Sequence, residues 1–88
     1  MKMVELKTRN EKLYIDEQEV IRGWESFSGW YWFATEMVED DWNGRPLWFG
    51  YVQGTYPEWG NFSETELLSI PSVWEIKPQD LPHAGRRD

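Results

Sequence analysis

Carboxylates and aromatic rings are the side chains of this 88-residue chain that offer chemistry in quantity. It holds seven tryptophans and four tyrosines, 16 Asp and Glu, one histidine and no cysteine. A pair such as Glu36 and Glu58 can divide acid and base work only if their surroundings drive the two pKa values apart, and so short a chain has little interior for that. His83 stands between Pro82 and Ala84, where a proton shuttle has no fixed partner, and it reads as solvated. Without a cysteine, a second histidine or a glycine-rich loop after a strand, nucleophilic, zinc and nucleotide mechanisms lack their parts. The run Glu39-Asp40-Asp41 lacks the alternating oxygen ligands of a calcium loop and reads as a solvated hairpin tip. No catalytic residue, metal or cofactor is expected.

The aromatics are the better clue. Trp and Tyr are enriched where a polar edge must stay reachable, as on recognition surfaces, and eleven of them exceed what one small core needs. The candidate binding residues are Trp30, Trp32, Trp48, Tyr51 and Tyr56, bordered by Glu36 and Glu58, with Trp24 and Trp42 nearby in sequence. The competing reading is that most of these rings pack the core.

These residues must be positioned by a small α+β domain. Trp30 to Val38 and the stretch from Leu47 to Gly54 are apolar on both alternating faces, as central strands are. Asn43-Gly44, which tolerates positive φ, predicts an antiparallel hairpin between them. Val4 to Thr8 reads as a first strand, Arg9-Asn10-Glu11 as a turn, and Lys12 to Ile15 with Glu19 to Gly23 as a hairpin closed by Asp16-Glu17-Gln18. After Gly54 the sequence reads as a turn, then a helix over 63–70. Ser63 and Glu66 form its capping box, Phe62 and Leu67 its hydrophobic staple, and Pro71 its stop. Val73 to Lys77 predicts a short edge strand with Trp74 and Ile76 inward. The expected architecture is a mainly antiparallel twisted sheet of five to six strands, with the helix on one face and the other face open. A single domain spans 1–78, and 79–88 reads as a flexible tail unless Leu81-Pro82 packs back.

The net charge of −7 is unevenly placed: between Trp30 and Ile70, seven carboxylates face the single base Arg45. Such a field repels phosphate, so direct nucleic-acid binding is not expected. The N-terminal MKMVELKTRN has no apolar run of signal or membrane-span length, and with no cysteine the chain reads as cytoplasmic, with no membrane partner.

Trp30-Tyr31-Trp32 with Thr35-Glu36, then Leu47 to Gly54, then Glu58-Trp59-Gly60-Asn61-Phe62-Ser63 running into Glu66-Leu67, resemble a small prokaryotic family of conserved domains of unknown function. Its members often lie on plasmids and other mobile elements. The match covers roughly residues 30–77. The resemblance implies no catalytic list. It draws attention to Glu36, Glu58, Gly60, Phe62, Ser63 and Glu66, of which the last three have a capping explanation. The sequence therefore points to a non-enzymatic module that binds a protein partner or a second copy of itself as a homodimer. The alternatives are an acidic mimic of DNA that occupies a basic DNA-binding protein, or a sugar or cation site using Glu36 and Glu58.

Overall fold

The computed structural model describes residues 4–41 and 43–84. Trp42 and the last four residues of the expected tail lie outside the described residues. The chain forms β1 (Leu6–Arg9), β2 (Lys12–Ile15), β3 (Gln18–Glu19), β4 (Arg22–Ser26), β5 (Tyr31–Asp40), β6 (Pro46–Gln53), β7 (Glu58–Ser63), helix α1 (Glu64–Leu68), β8 (Val73–Glu75) and a 3-10 turn at Leu81–His83. The α+β class and the dominance of antiparallel pairing are as expected. The strands, however, divide between a three-stranded sheet, β1-β2-β3, and a five-stranded sheet, β7-β6-β5-β4-β8.

Local chemistry explains the small sheet. Asn10-Glu11 and Asp16-Glu17 all take positive φ, the geometry of tight two-residue hairpin turns whose twist matches that of the strands. The second turn therefore closes at Asp16-Glu17 and pairs Ile15 with Gln18. The run expected from Glu19 to Gly23 is split, because Val20 turns into the core while Arg22 starts β4 in the other sheet. In the large sheet the long β5-β6 hairpin is closed at Gly44, whose φ is positive, and it contains two bulges, at Thr35 and Val38.

Register assigns the faces. Gly23, Phe33, Tyr51 and Trp59 are opposed across four strands and share one face. Trp24, Trp32, Val52 and Glu58 share the other. The first face is not open. The small sheet lies against it, so that Leu13, Ile15 and Val20 pack on Phe33 and Tyr51 together with Ile76 and Leu81. Burying both faces is what a chain with this many apolar strand positions requires. The segment after Pro78 contributes to that core, since Leu81 and Pro82 are buried and the Thr8 hydroxyl donates to the Pro82 carbonyl at 2.7 Å.

The second face carries α1. The helix is shorter than the expected 63–70, and its connection carries the chain from β7 at one edge of the sheet to β8 at the other. Ser63 caps it as expected, its hydroxyl oxygen accepting from the Glu66 amide at 3.3 Å. Phe62 and Leu67 close the staple within a core of Trp24, Ala34, Trp48 and Leu67. On β8, Ile76 just beyond the strand is buried but Trp74 is not. Trp74, two residues earlier and opposite Glu25, meets the exposed Phe27 edge-on, with ring centroids 5.0 Å apart.

Candidate functional site

Because α1 spans only five residues, it leaves part of its sheet face uncovered. Trp30 and Trp32 lie there side by side, ring centroids 5.8 Å apart and planes 31° apart. Gly54 makes this possible: a Cβ at that position would run into the Trp30 ring, so the indole packs against the backbone just past the end of β6. Trp32 opens onto a shallow groove of about 280 Å³ whose walls include Leu47, Phe62, Glu66, Leu67 and Ile70. Gly60 sits on β7 next to Phe62, and a Cβ there would meet nothing within 4 Å. The groove suits one side chain of a partner, being smaller than the ~300–1,000 Å³ of ordinary small-molecule sites.

The rim is acidic in part because Arg22 is occupied elsewhere. Arg22 holds Glu75 through two nitrogens, at 2.8 and 2.6 Å, and Glu64 at 2.7 Å. Its guanidinium also stacks over Trp24 and Trp48 at 4.9 and 5.4 Å. Arg45 adds a looser contact to Glu64 at 3.6 Å. Glu64, itself buried, also accepts from the Trp48 indole N–H at 3.1 Å. Glu58 and Glu66 are left exposed around the ledge and groove.

The candidate residues separate accordingly. Trp30, Trp32 and Glu58 share the partly uncovered face, and Tyr56 stands in the adjoining β6-β7 loop, 83% exposed. Trp48 and Tyr51 are core residues, buried on opposite faces of β6. Burial, and then the negative charge of Asp16, push the Tyr51 hydroxyl pKa upward. Trp24 is completely buried, and its indole N–H has no hydrogen-bond partner among the described residues. Glu36 is opposed to Phe49 and Asn61, whereas Glu58 is three residues from Asn61 and thus on the other face. The two carboxylates are roughly 10 Å apart along the strands and about 10 Å across them, so they do not form an acid-base pair. The capping residues keep their structural place, with Phe62 and Glu66 also lining the groove.

Asp41 was not legible as a functional group of the fold. Its carboxylate accepts from the Thr65 hydroxyl at 2.6 Å and the Ser63 hydroxyl at 3.1 Å, and from the amides of Asn43 and Arg45 at 2.8 and 2.9 Å. These donors, Thr65 first, hold its pKa down at about 2. The acidic hairpin tip is thereby tied to the start of α1 instead of being freely solvated. The Asx-like spacing Asp41-x-Asn43 was the available signal for the amide contacts, but the hydroxyl partners Ser63 and Thr65 lie more than twenty residues away. Among the described residues, no three Asp, Glu or His side chains are grouped to hold a metal ion.

A larger open cleft, about 820 Å³, lies between the Asn10-Glu11 turn and the Pro78–His83 segment. His83 lines it with Thr8, Glu11 and the two prolines, and is exposed. No Trp, Tyr or Phe ring and no buried polar side chain lines it, so volume does not make it the better site. No helix among the described residues is long and apolar enough to cross a membrane. No protein family, curated protein or solved structure matches the chain, and the site rests on its geometry.

Proposed function

We propose that the chain is a cytoplasmic, non-enzymatic interaction module that takes a protein partner on the Trp30–Trp32 ledge and its adjoining groove. The carrying observation is the conjunction of a half-covered tryptophan pair and a side-chain-sized groove, rimmed by Glu58 and Glu66 while Arg22 is engaged internally. Aromatic anchors beside a pocket supply the central part of most interfaces. The separation of Glu36 from Glu58 argues against a two-carboxylate catalytic site.

Tryptophan fluorescence distinguishes this reading from a small-ligand site. Short basic and aromatic peptides should perturb the emission, and Trp30→Ala with Trp32→Ala should remove the response. A response to sugars, nucleotides or divalent cations with none to peptides would sink the proposal. A second reading, mimicry of DNA, draws on the exposed run Glu36 to Asp40 on β5. It requires binding to a basic DNA-binding protein that weakens steeply with salt and survives loss of both ledge tryptophans.

A further inference from the structure

Among the described residues, the outer strand edges other than that of β7 are defended against addition of another strand. β1 carries Lys7 and Arg9. β3 is two residues long. β8 is three, between Pro71 and Pro78. The part of β5 that extends past β4 bears both bulges together with Glu36, Glu39 and Asp40. Short length, inserted residues and edge charges are the devices by which sheets prevent pairing.

β7 has only Pro57 and Glu58, at its start. It pairs with β6 over all six residues without a register shift, and no strand among the described residues covers its outer side. It contains no proline, lysine or arginine. The strand also borders the groove: a strand added at this edge would place alternate side chains beside Gly60 and Phe62, and the space over Gly60 is free.

We infer that the outer edge of β7 is a strand-addition site for an extended basic segment of a partner protein. This rests on the interaction-module reading and names the partner's form and charge. Charge selects the occupant. Glu58 opens the strand and Glu66 lines the groove, whereas Arg45 stands at the far end with a 3.6 Å contact to Glu64. A second copy of the chain would bring another net charge of −7 to the same edge. Main-chain hydrogen bonds supply the affinity in this mode, and the alternate side chains supply the selectivity. An arginine over Gly60 would stand beside the groove that Trp32 and Glu66 line.

The test uses the whole chain and an octapeptide of alternating arginine and valine, followed by amide chemical shifts and hydrogen exchange. The inference expects shift changes centred on 58–62 and new protection of β7 amides. Affinity should fall at least tenfold when alternate peptide amides are N-methylated, which removes the donors but keeps the side chains. The same loss is expected for Asn61→Lys, and for Gly60→Val, which fills the free space without a backbone penalty. Hydrogen exchange of the remaining strands reports that both variants stay folded. Binding indifferent to N-methylation overturns strand addition but leaves the interaction module standing. Equal binding of a glutamate-valine octapeptide overturns the charge assignment, and a homodimer with β7 amides already protected makes the occupant a second copy. Absence of any peptide response, with the tryptophans answering only to sugars, nucleotides or cations, removes the module reading itself.

Discussion

Truncating Leu81 to alanine should cost the fold a large part of its stability, although the residue lies in a stretch that reads from sequence as a tail. Its side chain is 8% exposed and packs with Phe33, Tyr51 and Ile76, its Cδ1 lying against Gly23. Leucine-to-alanine changes in cores cost ~2–5 kcal/mol, and a site near the end of the chain can collapse in part, which places this one at about 3 kcal/mol. A domain of this length has roughly 4–13 kcal/mol in total. Each kcal/mol corresponds to ~4–8 °C for such a domain, so Tm should fall by about 12–24 °C. Urea unfolding followed by tryptophan emission measures the loss directly, with an unchanged m-value showing that the same surface is exposed. A loss below ~0.5 kcal/mol, the ordinary range for a surface position, would refute the packing of this segment into the core.

Gly50→Ala should be worse, costing at least ~3 kcal/mol, because a Cβ there overlaps the Phe33 carbonyl and pushes β5 off β6; circular dichroism of the variant shows whether it folds at all. Glu64→Gln should cost about 2 kcal/mol by calorimetry, less than the ~3–5 kcal/mol of an isolated buried pair because Arg22 keeps Glu75. The acid limb of stability contains Asp41. Its pKa is lowered from 3.8 to about 2 in the fold, so its contribution is present above pH 4 and is lost as pH falls toward 2. Asp41→Asn should lower Tm at neutral pH and flatten the decline between pH 4 and 2, and an unchanged decline would remove Asp41 as a cause.

The elements with local causes were legible in the chain. The Asn43-Gly44 turn, the two apolar-faced strands, and the cap at Ser63 with its Phe62–Leu67 staple depend on residues within a few positions of one another. What failed was whatever depends on a distant surface. β7 reads as a turn because Glu58-Trp59-Gly60-Asn61 has weak strand propensity, and it is a strand because β6 offers it a full ladder. Among the candidate site residues, Trp30, Trp32, Trp48 and Tyr51 cannot be told apart by type or alternation.

Composition and spacing by themselves determined a small, acidic, antiparallel α+β chain with one capped helix and a surplus of rings. Only the tertiary structure decided which rings face water. The small sheet closes the Tyr51 face, α1 closes the Trp48 half of the other, Trp32 is left half-covered at the edge of the helix, and Trp30 remains exposed beyond it. The reason is that alternation assigns a side chain to a face, whereas burial depends on what covers that face. That cover is brought by segments far away in sequence, whose contact carries no short-range signal.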